Sequence, residues 1–199
     1  MANEDPTTPP APRTVHLDAR QVRTLAHPLR MRLLGTLRVD GPATATSLAE
    51  KLDTNTGATS YHLRQLAEVG LVTEDPDRGT GRQRWWRAEH DISNFEPTEF
   101  DDDPDARAAV RWIEANHVRL MAEQAERWIA TVEEEPRAWR DVASLSDMVL
   151  TLTPDRLREL NEELWRVVMR YHEEPPSDGP DARQVHVFLS AFPRVEETR

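Results

Sequence analysis

The chain contains no cysteine among its 199 residues. This absence excludes disulfide bonds, thiolate metal ligands and cysteine nucleophiles, and it is compatible with a reducing compartment. No apolar run approaches the roughly 18 residues needed to cross a bilayer, and the opening MANEDPTTPPAPRT has no apolar signal core. We therefore expect a soluble, cytoplasmic protein with no membrane partner, in which residues 1–14 form a disordered N-terminal segment.

The short motifs of common enzymes are also missing. The sequence has no G-x-S-x-G, H-E-x-x-H, Walker or G-x-G-x-x-G motif. A metal site would need His and carboxylates, and the one suggestive spacing is Glu114, His117 and Glu123 on a predicted helix. Such polar groups more often set the register of a helical seam. We therefore predict no enzymatic activity, no bound metal and no cofactor.

Positive charge is scarce overall, since the formal net charge is −11. The deficit is uneven: residues 13–90 carry 12 Lys and Arg against 9 Asp and Glu, whereas residues 91–199 carry 13 against 25. Local charge, rather than the total, decides whether a phosphate backbone can approach a face. A nucleic-acid surface is therefore expected only in the first of these two parts.

Apolar spacing predicts three helices at the start of the basic part, over residues 17–26, 28–38 and 47–52. The second begins with a proline suited to a first helical turn and stops at DGP. Thr44 or Thr46 can cap the third. The following DTNTG is a turn by composition, because Asp, Asn and Gly tolerate left-handed backbone.

The stretch GATSYHLRQLAEVGLV predicts a fourth helix that ends at Gly70. Its period places Thr59, His62, Leu63 and Leu66 on the packed face, with Val69 beyond. LVTED and RQRWWRAE then predict two strands joined by the turn PDRGTG. The predicted order is three helices, a turn, a fourth helix and a hairpin.

This order, with LAHPLRMRLLGTL, SLAEKLDTNTGATSYHLRQLAEVGLV and DRGTGRQRWW, resembles the winged helix-turn-helix domain of ArsR-type bacterial transcription regulators over residues 17–90. The resemblance implies a cytosolic homodimer that binds double-stranded DNA, usually as a repressor released by a ligand. Metal-sensing members place paired cysteines in the DNA-reading region, and this chain has none. We predict residues 15–92 as the DNA-binding domain.

The fourth helix has the side chains that a major-groove helix needs. Ser60 and Tyr61 offer hydrogen bonds on the first turns, while Gly57 and Ala58 add little bulk near the backbone. Thr56 can cap the helix while the free amides meet a phosphate. The alternative is an ordinary solvated face, and for His62 a structural histidine is the other interpretation. The predicted DNA-binding residues of this helix are Thr56, Gly57, Ala58, Ser60, Tyr61, His62, Arg64 and Gln65.

The hairpin is a wing by this interpretation. Strand alternation sends Arg82 and Arg84 to one face, so not all of its arginines can reach DNA. Arg78 and Arg82 are the best placed. Arginine suits both phosphate and a narrow minor groove, although charges also protect an exposed edge strand from aggregation. The predicted DNA-binding residues of the wing are Arg78, Arg82 and Arg84.

Beyond the hairpin, residues 93–105 are acidic and aperiodic and predict a linker or exposed loop. Residues 106–134 predict a long helix with a stripe near a 3.5-residue spacing. The predicted dimerisation residues on it are Ile113, His117, Leu120, Gln124, Trp128 and Val132. DMVLTLT and QVHVFLSAF then predict strands on either side of a helix that starts at Thr153-Pro154-Asp155.

The predicted fold is therefore α+β, mainly α with small β: a winged helix-turn-helix, a long dimerisation helix and a small C-terminal β-α-β extension. Residues 106–199 are expected to serve dimerisation or effector binding. The predicted function is a sequence-specific, homodimeric DNA-binding repressor. Two alternatives stay open: a one-component sensor whose C-terminal half binds an apolar small molecule, unknown in identity, and a winged-helix protein-interaction module without DNA binding.

Overall fold

The computed structural model describes residues 12–78, 83–175 and 177–195. Two compact units divide the chain: Pro12–Val118, here the N-terminal unit, and the residues from Arg119 onwards, here the C-terminal unit. Of the helices in the described ranges, none is long and apolar enough to span a membrane. The predicted α+β class is confirmed, with a mainly helical chain and little strand.

Short strands and helices alternate through the N-terminal unit. In chain order they are β1 Thr14–His16, α1 Ala19–Leu25, α2 Pro28–Val39, β2 Ala43–Thr44, α3 Ala45–Lys51, α4 Thr56–Ala67, β3 Val72–Glu74, β4 Trp85–Ala88, β5 Ile92–Asn94, the 3-10 helix η1 Pro97–Phe100 and the helix α5 Pro104–Thr131, which continues past the unit. The four predicted helices and the predicted hairpin are all present.

Side chains spaced at helical and strand periods form one core in this unit. Leu33, Leu63 and Leu66 are fully buried in it, and Trp86 enters from β4. Residues of this kind stabilise the fold by about 1.5–3 kcal/mol each through burial of apolar area. The only buried polar residue of the described chain, Thr59, is satisfied because its hydroxyl donates to the carbonyl of Asn55 at 3.1 Å.

The described strands form two small sheets. β4 lies between β2 and β3 and is antiparallel to both, with Ala43 opposite Trp86 and Val72 opposite Ala88. β1 pairs separately with β5 in parallel, in a register that sets Thr14 opposite Ile92. The sequence prediction missed β1, β2 and β5, because each is only two or three residues long.

The acidic segment 93–105 is a correction to the predicted linker. It includes part of β5 and all of η1, and it buries the ring of Phe100 against the core. From α2, Arg38 donates to the carbonyl of His90 at 2.9 Å and to the hydroxyl of Ser93 at 2.6 Å. Thr14, at the end of the predicted disordered segment, is a strand residue, while residues 1–11 lie outside the described ranges.

The C-terminal unit contains the end of α5 and three further helices, η2 Val132–Glu134, α6 Arg137–Val142 and α7 Pro154–Glu173. The predicted start of α7 is confirmed, because the side chain of Thr153 caps it by accepting from the amide of Arg156. Sequence reasoning had not predicted α6.

The two strands predicted around α7 are wrong for this structure. Neither 147–153 nor 184–192 forms a strand with any described part of the chain. The physical reason is that alternation makes a segment suited to a sheet, whereas a strand exists only when a neighbour accepts its hydrogen bonds.

Candidate nucleic-acid interface

A side-chain cap fixes the start of the predicted recognition helix, α4. Asn55 has extended backbone, φ −97° and ψ 147°, and its side chain accepts from the amide of Ala58 at 2.8 Å. Thr56 is already the first helical residue, so its predicted role as cap is wrong. Asn is among the best N-cap residues because its short side chain can reach back to an unpaired amide.

The helix turns one face to the core and leaves the other open. Thr59, Leu63 and Leu66 are buried, as their spacing predicts. On the open side, Tyr61 is 54% exposed and Arg64 is exposed as well. The other predicted residues of its first turns are exposed or half-buried, namely Thr56, Gly57, Ala58 and Ser60. This is the exposure that direct base contact requires.

A groove of about 260 Å³ lies where α4, the start of α3 and the residues around the start of β4 meet. Four predicted DNA-binding residues line it: Thr56, Ser60, Arg64 and Arg84. It therefore joins the helix and the wing into one surface, which we call the α4 groove. Its remaining lining residues are Thr44, Ala45, Thr46, Gln83 and Trp86.

The contribution of α3 to this groove was not predicted. Thr44 is the N-cap of α3, where its hydroxyl accepts from the amide of Ser47 at 3.1 Å, while Ser47 reaches back to the amide of Thr44. This reciprocal cap sets Thr46 beside the first turns of α4. The capping pattern was visible in the sequence, but its proximity to α4 depends on tertiary packing.

His62 lies beside α2 rather than in the α4 groove. Its ring stands 4.3 Å from that of His27, centroid to centroid, at 36°. Burial lowers the pKa of His27 from its ordinary 6.5, and the charge of Arg30 lowers it further. Burial is also the main cause that lowers the pKa of His62, with further contributions from His27 and Arg30. This geometry favours the structural interpretation of His62.

The other polar residues of the predicted interface already have carboxylate neighbours. Gln65 donates to Glu68 at 3.2 Å, on the helix itself. Arg84 pairs with Glu74 at 3.0 Å across the hairpin, and both side chains are exposed. Exposed pairs of this kind exchange readily, because each contributes only about 0–1 kcal/mol.

Arg78 lies 3.6 Å from Asp75, and its guanidinium stands 6.0 Å from the Trp85 ring. The last predicted wing residue, Arg82, lies outside the described residues.

The structure also changes the predicted dimerisation stripe. Ile113 is only 8% exposed and packs into the core of its own chain, so it is removed from the stripe. Leu120 is 39% exposed, His117 is exposed, and Gln124 and Trp128 are half-buried. Val132 is half-buried but belongs to η2 rather than to α5.

Residues 25–75 match the family model of a helix-turn-helix domain, a range that contains α2, α3 and α4. This part of the chain is a helix-turn-helix domain, which supports a DNA-binding transcriptional regulator. The resemblance to ArsR-type winged helix-turn-helix regulators, predicted over residues 17–90, is confirmed.

Three similar solved structures each cover about half of the chain. A possible transcriptional regulator for arsenical resistance is 31% identical over 52% of this chain and 95% of its own, with a TM-score of 0.31. A homodimeric winged helix-turn-helix DNA-binding domain from Mycobacterium bovis, from a possible ArsR-family regulator, is 23% identical over 53% and 78%, with a TM-score of 0.32. Reduced HlyU from Vibrio cholerae is 18% identical over 48% and 83%, with a TM-score of 0.31. No curated protein matches the chain.

Proposed function

We propose that the protein is a homodimeric repressor that reads its operator with α4. The observation that carries the proposal is the α4 groove, where Ser60, Arg64 and Arg84 surround an open space at the first turns of a capped helix. In a helix-turn-helix protein these turns face base edges in the major groove, and flanking arginines contact the phosphates.

The roles of the groove residues follow from their chemistry. Ser60 and Tyr61 carry hydroxyl groups that donate to or accept from base edges. Arg64, one turn further along, is placed for a phosphate or a guanine. Arg84 holds a phosphate beside the helix, and DNA binding then replaces its surface contact with Glu74. Thr46 at the start of α3 adds one more hydroxyl to the α4 groove.

A second copy of the chain increases the selectivity of binding for the operator sequence. Two recognition helices on a twofold axis read two half-sites about one DNA turn apart, which multiplies the contacts of a single helix. We assign the seam to the stripe of α5 that continues after the N-terminal core, formed by Leu120, Gln124 and Trp128 with Val132 of η2. The bound dimer would repress by excluding RNA polymerase from the operator, a mode of repression that needs no further domain.

Genomic footprinting of the tagged full chain tests the proposal directly. It should reveal a set of sites with an inverted repeat, and a duplex with that repeat should bind more tightly than a shuffled one. Expression of the flanking genes should rise when the protein is deleted. A shallow, salt-independent isotherm on both duplexes would instead favour the protein-interaction module, and lowered expression after deletion would make it an activator.

A further inference from the structure

The C-terminal unit lacks a core of its own. No described residue from Arg119 onwards is buried. Ordering the backbone costs about 1–2 kcal/mol per residue, and burial of apolar surface has to offset this cost. A unit with α6, α7 and capped ends, but without buried side chains, is therefore incomplete as a single copy.

Two of its segments, residues 148–153 and 184–193, contain no Asp, Glu, Lys or Arg, and each is rich in apolar side chains. We call them the two uncharged segments. Val149 is 81% exposed in the first, and Val185 and Val187 are 63% and 60% exposed in the second. These are β-branched residues, which favour strands, and neither segment contains a charged residue, a glycine or an asparagine, or a proline before Pro193.

The second segment already has the side-chain arrangement of a strand. His186 and Phe188, two positions apart, stack with ring centroids 5.8 Å apart and 14° between the ring planes. Alternate side chains of an extended chain lie on the same side, so this stacking indicates an extended backbone. The backbone of this segment is thus suited to pairing with another strand, although no strand of the described chain pairs with it.

The helix between these segments is only partly covered, since Leu157, Leu160, Val168 and Met169 are half-buried and its other large apolar residues are exposed. Thr153 caps α7, whose apolar residues follow a helical period. Leu164 and Val167 on this helix are 38% and 48% exposed, and Tyr171 is 65% exposed. An amphipathic helix with no fully buried residue, flanked by two segments suited to strands, has the parts of a two-layer α/β unit but not its packing.

A second copy of the same chain fits this surface best. The surroundings of the two segments are rich in acidic residues, whereas the segments themselves carry no formal charge at neutral pH and do not repel an identical segment. A twofold interface brings both segments of each copy to the other, so every added strand finds an edge. The proposed α5 seam precedes these segments in the chain.

We propose that the C-terminal unit folds by reciprocal pairing: the two uncharged segments of one copy form β-strands with those of a second copy, and the apolar side of α7 covers the resulting sheet. The dimer is thus held by main-chain hydrogen bonds as well as by α5. The proposal shares the homodimer with the proposed function but does not depend on DNA binding.

Hydrogen exchange of the unmodified full chain tests the pairing without any substitution. Amides of residues 149–152 and 185–189 should exchange slowly when the chain is dimeric and at least about tenfold faster after dilution to monomer. Buried amides of α4 should be unaffected, which controls for loss of the N-terminal fold. Equal protection at all concentrations would show pairing within one chain, and absence of protection in the dimer would show an interface elsewhere; either result overturns the proposal.

A substitution provides the second measurement. Val187→Asp places a charge in the proposed sheet and should raise the dimer dissociation constant by at least about tenfold in sedimentation. Val142→Asp is the matched control, since Val142 is 72% exposed in α6 outside both segments and should change little. A dimer of parental affinity with Val187→Asp would overturn the proposal. Weak, salt-sensitive attraction to duplex DNA should persist in both variants, so failure here is distinguishable from failure of the proposed function.

Discussion

Ser60 and Tyr61 are the residues that should separate base reading from general attraction to DNA. Replacing both by alanine removes hydroxyls from the open side of α4, whereas Leu63 and Leu66 still hold the helix to the core. The free-energy difference between operator and random DNA should therefore fall by about 1–3 kcal/mol for each well-aligned hydrogen bond to a base edge that the substitution removes. The measurement is the ratio of the two affinities, obtained by fluorescence anisotropy.

An alanine at Arg20 is a suitable control for that experiment, because it is an exposed position of α1 outside the α4 groove. It should leave the affinity ratio at the parental value. If the Ser60 and Tyr61 variant is folded by thermal melting and keeps its ratio, specificity comes from other residues or from DNA shape.

The pair of His27 and His62 predicts acid sensitivity of the N-terminal unit. Both rings have pKa values below the ordinary 6.5, so the folded state favours the neutral rings, while the unfolded chain takes up protons first. Stability is therefore fully present above about pH 6.5 and decreases as the pH falls below it. His62→Gln should reduce the loss measured by urea unfolding between about pH 7.5 and about pH 5.5.

A substitution at His16 is a control for which the opposite change of stability with pH is expected. Its hydrogen bond to Glu99 raises the pKa of His16, so its contribution is present below its unfolded pKa and is lost as the pH rises through the folded value. His16→Gln should thus make the loss on acidification larger rather than smaller. A His62→Gln profile that coincides with the parent would mean that the histidine pair is not the source of the acid sensitivity.

How well each residue of the site could be predicted depends on how local its environment is. The inward face of α4 follows from the helical spacing of apolar residues within its twelve residues. Leu63 and Leu66 are buried, as this spacing predicts. Thr46 was missed because only the packing of α3 against α4 brings it to the groove. Ile113 was misplaced because a stripe on a helix does not reveal whether its partner is the same chain or a second copy.

At the scale of elements, the cap of α4 is the most local determinant of the recognition helix. Asn55→Ala removes the acceptor for the amide of Ala58 and should lower the free energy of unfolding by about 0.5–2 kcal/mol. Affinity for DNA should fall as well, since the first turn then frays at the point where bases are read. Chemical denaturation followed by operator binding measures both quantities.

Asn55→Asp is the informative companion, since Asp is an equally good cap but adds a negative charge at the DNA face. It should keep the stability of the parent while it weakens binding. An unchanged stability for Asn55→Ala would mean that water replaces the cap without cost.

Strands that depend on pairing between distant segments could not be predicted from the sequence. α2, α3 and α4 are set by local period and capping, and all three appear where the sequence predicts them. β1 and β5 are brought together across 78 residues, as from Thr14 to Ile92, over only three residues each. No pattern among neighbouring residues of the sequence indicates such a contact. The segments around α7 show the converse, because their alternation is clear while the neighbouring strand is absent from the described chain.

At the scale of the whole molecule, the acidic total and the DNA-binding surface are compatible because the charges are segregated. The chain carries a net charge of −11, yet residues 13–90 are net basic. Acidic residues elsewhere repel the duplex and so restrict productive encounters to the basic part. In the proposed homodimer, the C-terminal unit serves association of the two copies rather than attraction to DNA.

This division of charge gives a salt dependence that can be assigned to single residues. Arg84→Ala should weaken binding to operator and to unrelated DNA by similar factors, because phosphate contacts carry no sequence information, and should reduce the slope of log K against log salt by about 1. Glu74→Gln should strengthen binding to both duplexes at low salt, since it frees Arg84 from its carboxylate partner at 3.0 Å. Arg137→Ala is the matched control: Arg137 is also an exposed arginine, paired with Asp141 at 3.3 Å, but in α6 of the acidic unit. Titrations of both duplexes at several salt concentrations decide the matter. If the Arg137 variant lowers the slope as much as the Arg84 variant, the phosphate contacts are not confined to the α4 groove, and the proposed orientation of the protein on DNA is wrong.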